Sequence, residues 1–198
     1  MSRIVVVGAT GTIGSAVVER LEEDHHIVAV GHSSGQLQVD LGSKGSIEEL
    51  FGAVGEFDHL VSAAGVAEFG KLDELSDEDF RTSLDNKLMG QVNLVRLGHE
   101  HIFDGGSFTL TGGILARKPT AGSCAISMAN AGLEGFVRAA SLELVRDLRV
   151  NVVSPGWVAE TLEEMGRDPS EGIPAAEVAE AYAESIDSRR TGEVIEAV

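Results

Sequence analysis

Residues 3–21 place the tightest constraint on what this chain can fold into. Arg3-Ile4-Val5-Val6-Val7 is a β-branched run closed by Gly8, the pattern of a strand buried on both faces of a parallel sheet. From Thr12 onward, Ile13, Ala16, Val17 and Leu21 fall on one face of a helix. Three glycines sit at the junction. Gly8 lets the chain turn sharply off the strand, and Gly11 leaves no Cβ where a ligand approaches the backbone. Gly14 lets the helix lie close on the sheet. The first turn of that helix then presents free N–H groups and a positive dipole end, an arrangement that favours the pyrophosphate of a dinucleotide. The turn Gly8, Thr10, Gly11, Thr12, Ile13 and Gly14 is therefore the first candidate binding element.

The rest of the chain repeats the alternation. A strand is expected at Ile27–Gly31. The link His32-Ser33-Ser34-Gly35 is too short for a helical crossover, yet Gln36–Leu41 alternates like an edge strand, so it reads as a clipped edge strand of undecided direction. A short helix follows over 43–54 and a strand over 59–62. Ser76-Asp77-Glu78-Asp79 marks a helix start, and that helix is expected to run to about Ile102. Gly105-Gly106 precedes a strand over 107–111, and a long helix is expected from about Ser123 to Val145. A strand over 150–154, an acidic stretch over 160–172 read as a mobile loop or short helix, a helix over 175–185 and a strand over 192–195 complete the order. Regular alternation without a linker or repeat predicts one α/β domain spanning 1–198, a doubly wound, mostly parallel sheet with helices on both faces. Ligands of such sheets sit beyond the strand C-termini, which singles out the residues just after each strand.

Charge narrows the partners. The 32 acidic residues against 15 basic ones leave a net charge of −17, which repels a nucleic acid and offers no basic stripe to localise one. No apolar run reaches the length of a membrane span, and the chain enters its first strand at once, so neither leader nor anchor is expected. The single cysteine, Cys124, precludes an internal disulfide and suits a reducing, cytoplasmic setting. It reads as a small buried residue, with a thiol role as the alternative. His99-Glu100-His101 places its histidines two apart, off a common helical face, so no metal site is expected there.

Several pieces together resemble the short-chain dehydrogenase/reductase family along nearly the whole chain. They are Gly8-Ala9-Thr10-Gly11-Thr12-Ile13-Gly14, Val39-Asp40-Leu41, Ser62-Ala63-Ala64-Gly65, Leu133-Glu134-Gly135-Phe136, Val150–Gly156 and Thr191-Gly192-Glu193-Val194. The resemblance implies a nicotinamide dinucleotide. Gly8–Gly14 would hold its pyrophosphate, Asp40 and Leu41 the adenine edge, Ala63, Ala64 and Gly65 the adenosine ribose, and Pro155, Gly156 and Val158 the nicotinamide. A helix cap is the alternative role for Asp40. The end of the second strand carries His32, Ser33 and Ser34 in place of a carboxylate, which favours NADP(H) over NAD(H).

The family's catalytic Tyr, Lys, Ser and Asn are all replaced. The same alignment sets Ile126 at the Tyr position, Asn130 at the Lys position, Gly113 at the Ser position and Lys87 at the Asn position, and the chain's one tyrosine, Tyr182, lies far along the sequence. The chain thus resembles a subgroup that keeps the glycine-rich turn and lacks the standard active site. Lys87 and Asn130 read as an exchanged pair, and with Thr111 they are the candidate catalytic groups; Ser127 and Cys124 are further sources of a hydroxyl or thiol. Trp157 is expected either to wall the nicotinamide pocket or to join the core. Two functions are open: an oxidoreductase acting on a small carbonyl or alcohol with a non-standard proton donor, and a dinucleotide-binding sensor or interaction protein without turnover. By resemblance the helices over 77–102 and 123–145 would pair across subunits of a homodimer or homotetramer.

Overall fold

The computed structural model describes residues 1–198 and carries a seven-stranded sheet in the order β3-β2-β1-β4-β5-β6-β7, with every pairing parallel. The strands are β1 (Arg3–Val7), β2 (His26–Gly31), β3 (Leu37–Gln38), β4 (Phe57–Ser62), β5 (Ile102–Thr111), β6 (Arg149–Pro155) and β7 (Val194–Ala197). The order reverses beside β1, between β2 and β4, so the crevice of the sheet opens at the C-terminal end of β1. Helices α1 (Thr12–Leu21) and α7 (Ala175–Asp187) cover one face. On the other lie α2 (Lys44–Val54), α4 (Gly90–Gly98) and α5 (Cys124–Ala140). The period of two along the strands divides the core accordingly. Val5, Val7, Leu60, Phe108 and Leu110 pack into the α2/α4/α5 layer, and Ile4, Val6, Val61 and Val153 into the α1/α7 layer.

Three expectations are corrected, and the undecided direction of the edge strand is settled. The edge strand is parallel, with Val30 beside Leu37, because the intervening loop doubles back: Gln36 N–H donates to Ala29 O, and Gly35 takes φ +111° at the reversal. The helix expected over 77–102 runs without a gap but stops at Gly98 and is not α-helical throughout. Its capping box forms at Ser76 and Asp79, but α3 (Asp77–Thr82) passes into a π-helical segment, Ser83–Met89, before α4 begins. Ile102 is not its end but the first residue of β5, opposite Phe57, and the Gly105-Gly106 pair sits inside that strand near an irregularity in its register. Gly106 is needed there because a Cβ would stand 2.4 Å from Asp58 O.

The helix expected to reach Val145 stops at Ala140. Arg146 and Asp147 take left-handed conformations, φ 60° and 55°, and the Arg146 guanidinium donates to Ile102 O and to His99 O at the end of α4. The acidic stretch is ordered: α6 (Ala159–Glu164) buries Leu162 completely, and the Glu160 carboxylate accepts from Ala175 N at the start of α7.

Candidate active site

At the C-terminal end of β1 the three glycines do different work. A Cβ on Gly8 would come within 2.5 Å of Ala63 O, and one on Gly14 within 1.9 Å of Gly8 O, so packing alone demands both. Gly14 therefore acts by seating the helix on the turn and does not itself face the cleft. Gly11 is the exception: a Cβ there would meet only Gly8 O, at 3.5 Å. Nothing in the protein needs Gly11 to be bare, but a ligand approaching the backbone does. Gly11 is also the N-cap of α1, offers no side-chain cap, and is followed by a first turn without acidic residues. These are the properties of an anion cradle.

The cleft in front of this turn has a volume of about 320 Å³ and is lined by Gly8, Thr10, Gly11, His32, Ala63, Ala64 and Gly65, with Val39 and Leu41 at the far end. Val7, Gly31, Val66 and Asn86 also line it, beyond the expected site residues. Asn86 accepts from Val66 N–H at 2.7 Å and so fixes the loop after β4. Ser33 and Ser34 are exposed beyond His32, and Thr12 sits half-buried at the helix start. Asp40 is exposed at the rim: its Oδ1 accepts from Gly42 N–H at 2.9 Å in a tight turn ahead of α2, near the Asn86 amide, and its neighbours Val39 and Leu41 supply the apolar wall.

A second cavity of about 230 Å³ adjoins at the ends of β5 and β6, lined by Lys87, Thr111, Gly112, Gly113, Asn130, Pro155, Gly156 and Val158 among polar and main-chain groups. Ile13, Phe69, Ile114, Leu115, Ile126, Trp157 and Thr161 complete its walls. The exchanged pair is thus brought together. Lys87, in the π-helical segment, is 7% exposed, and burial holds its amine down at about 8. No carboxylate pairs with it; its Nζ donates only a long 3.4 Å bond to Thr111 O. Single π-turns recur at functional sites because they re-aim a side chain. Here Asn86 reaches the first cleft and Lys87 the second.

Asn130, from α5, is 1% exposed, and its Oδ1 is buried without a hydrogen-bond partner. Its amide fills the space that a side chain on Gly113 would take, with Nδ2 2.8 Å from the position of such a Cβ. The Asn130 amide and the bare Gly113 therefore depend on each other. Ile126, on the same helix, presents hydrocarbon.

Thr111 contributes differently from the expectation. Its hydroxyl donates to Ser62 O and meets the Tyr182 hydroxyl at 2.5 Å, so it is committed beneath the sheet's end. What Thr111 offers the cavity is its carbonyl, held by the Gln91 side chain through Thr111 N–H to Oε1 (2.8 Å) and Nε2 to Thr111 O (2.9 Å). Tyr182, remote in sequence, is fully buried on the opposite face, and burial pushes its hydroxyl well above the ordinary range. Cys124 is exposed at the start of α5, not buried, and Ser127 Oγ pairs with Ser123 Oγ. Trp157 is a wall of the cavity, 6.2 Å from the Phe69 ring, with the Arg167 guanidinium over its other side at 4.8 Å.

A doubly wound parallel sheet with a bare glycine turn at its switch point defines a dinucleotide-binding α/β protein. The family model described as enoyl-(acyl carrier protein) reductase matches residues 5–196. The chain belongs to the short-chain dehydrogenase/reductase family of oxidoreductases. A crystallised protein from Listeria innocua is 38% identical over the full length of both chains, with a TM-score of 0.96. A small-chain dehydrogenase crystallised in complex with NADPH is 29% identical, with 98% of this chain and 95% of that one covered and a TM-score of 0.87. Carbonyl reductase family member 4 of Danio rerio is 29% identical over 181 residues, 80% of this chain and 76% of its own.

Proposed function

We propose that the protein is an NADP(H)-dependent oxidoreductase of a small carbonyl compound or its alcohol, with Lys87 in place of the missing tyrosine as proton donor. The observation that carries this reading is the unpaired, buried Lys87 amine beside the unpartnered Asn130 amide, in a cavity contiguous with the glycine turn. The residues fit a dinucleotide: the bare Gly11 and the uncapped start of α1 for the pyrophosphate, and Val39 and Leu41 for the adenine. Ala63–Gly65 suit its ribose, and Pro155–Val158 the nicotinamide. His32, Ser33 and Ser34, with no carboxylate at the end of β2, suit a 2′-phosphate. The NADPH complex of a relative supports the same preference.

When bound, the cofactor supplies a hydride to the carbonyl carbon. The Lys87 ammonium orients the substrate oxygen, stabilises the negative charge that develops on it and transfers a proton to it. The doubly anchored Thr111 carbonyl holds Nζ in position, and Asn130 hydrogen-bonds the cofactor. Ile126 and Trp157 keep water from the reacting atoms. By family resemblance the protein works as a homodimer or homotetramer in the cytoplasm.

Mixing the purified protein with NADPH and a panel of carbonyl compounds tests the reading. Oxidation of NADPH that Lys87→Met abolishes is the expected result. Tight NADPH binding with no oxidation by any carbonyl would favour the second reading, a dinucleotide sensor, which the loss of the family's tyrosine supports.

A further inference from the structure

The second cavity holds one charge, and that charge has no partner. Lys87 is the only ionisable residue among the lining side chains, and burial alone acts on its amine, with no carboxylate beside it. Of its three N–H donors one points to Thr111 O at 3.4 Å, and that carbonyl already accepts from Gln91 Nε2 at 2.9 Å. Two N–H groups are left with nothing in the protein to receive them. A buried ammonium in this state is unfavourable until an anion pairs with it, and a carboxylate does so through short, charge-assisted hydrogen bonds.

The rest of the wall limits how many charges a ligand can bring. Ile114, Leu115, Ile126, Trp157 and Val158 are hydrocarbon or aromatic, and the unpartnered atom of Asn130 is an acceptor, Oδ1, which cannot serve an anion. A first negative charge finds Lys87 and a second finds nothing. Arg167 lies over the Trp157 ring and reaches Glu171 at 3.5 Å, so it is already shared. The net charge of −17 opposes anions at long range, so selection rests on the buried contact and not on steering.

Room is short. A cavity of about 150 Å³ holds one benzene, so the cofactor's ring leaves about 80 Å³ of the 230 Å³, the share of two or three water molecules. A carboxylate and the carbonyl beside it suit that space, and further carbons lie at the mouth, where Phe69 is 49% exposed. A carboxylate one bond from the carbonyl also matches the donor count. Its oxygen and the carbonyl oxygen can lie on one side of the C–C bond, so one free N–H meets each.

We propose that the second cavity takes a short 2-oxo acid with a single carboxylate, held by the two free N–H groups of Lys87, and converts it to the 2-hydroxy acid. The conversion rests on the oxidoreductase reading; the binding does not. Hydride from the bound cofactor reaches the carbonyl carbon, and a proton passes from Nζ to the carbonyl oxygen. The cofactor leaves oxidised, the carboxylate is unchanged, and the amine regains a proton from solvent.

Oxamide, oxamate and oxalate share one planar frame and carry zero, one and two negative charges, and NADPH reduces none of them. The cofactor-free protein is titrated with each by calorimetry at neutral pH, and the titrations are repeated with saturating NADPH. Oxamate is expected to bind at least about tenfold more tightly than oxamide, a difference of about 1.4 kcal/mol, and more tightly than oxalate. In Lys87→Met the preference for oxamate over oxamide is expected to vanish. Oxamide binding as tightly as oxamate, oxalate binding more tightly, a preference that survives Lys87→Met, or no binding of any of the three would overturn the proposal. So would exclusion of oxamate by NADPH, since ring and acid would then compete for the same room. Oxidation of NADPH by glyoxylate or pyruvate reports separately on hydride transfer. Selective oxamate binding without that oxidation would refute the oxidoreductase reading while upholding the ligand class.

Discussion

Lys87 is an expense to the fold, and its size can be worked from the structure. The amine titrates at about 8 in the folded protein against 10.5 ordinarily, and burial alone causes the difference. At about 1.4 kcal/mol for each pH unit between the two values, holding the ammonium charged at neutral pH destabilises the folded state by about 3 kcal/mol. The sign follows from proton counts. Below pH 8 the amine is charged in both states and the full penalty applies. Between about 8 and 10.5 the unfolded chain keeps a proton that the folded one has released, so stability rises with pH, and above 10.5 the penalty is gone. Lys87→Met replaces the ammonium by an apolar chain of similar length and gives up only the 3.4 Å bond to Thr111 O. Allowing for that bond, the variant should gain about 2 kcal/mol at neutral pH, about 4–8 °C in melting temperature for a chain of this size. Urea unfolding of both proteins at several pH values is the assay, and the gain should shrink as pH rises from 8 to 10. A variant that melts at or below the wild type would refute the reasoning, because the ammonium would then have a stabilising partner.

The glycines separate packing from binding. Gly11→Ala should leave the melting temperature within about 1 °C and weaken NADPH at least about tenfold. Gly14→Ala should be strongly destabilised, since its Cβ would lie 1.9 Å from Gly8 O; equal stability of the two variants in thermal melts would count against this division. Gly113→Ser should cost about 1–3 kcal/mol through its clash with the Asn130 amide, and Asn130→Ala in the same chain should recover most of it. A double-mutant cycle by chemical denaturation measures the coupling. Tyr182→Phe should cost about 1 kcal/mol while leaving the pH profile of NADPH oxidation in place, flat below about 8 and falling above as Lys87 loses its proton. A profile displaced by that substitution would move the proton donor elsewhere.

What could be read from the residues in order was whatever obeys a short period. The glycine turn, the Ser76–Asp79 capping box and the alternation of β-branched runs with amphipathic stretches all act within one or two turns of chain, and each appears where it was expected. The errors lie where a distant group decides. The helix after Ala140 ends because Arg146 reaches the carbonyls of His99 and Ile102 more than 40 residues away. β5 begins at Ile102 because Phe57 lies beside it, not because Gly105-Gly106 punctuates the chain. Asp40 stands where its motif put it, between Val39 and Leu41 at the cleft, and the bond from Gly42 N–H to its Oδ1 is a further role the sequence did not show.

The site itself follows the same division. The spacing of the family motifs points to Lys87 and Asn130, but their environment is not legible from it. As a helix residue among polar neighbours, Lys87 had equal claim to the surface. Its burial depends on the π-helical turn that rotates it inward and on Gly65, where a Cβ would stand 3.0 Å from Lys87 Cα. Once inside, it needs an oxygen to receive it, and Gln91 provides one by gripping both the N–H and the carbonyl of Thr111. Asn130 in turn needs room, and Gly113 yields it. A Cβ at 113 would stand 2.8 Å from Asn130 Nδ2, so the asparagine and the glycine depend on each other. Lys87, Thr111 and Gln91 are therefore one hydrogen-bonded unit around a single buried cation, with Asn130 and Gly113 fitted to each other across the same cavity. A buried ammonium that costs the fold about 3 kcal/mol and has no carboxylate partner is accounted for by the use proposed for it at the cavity it faces.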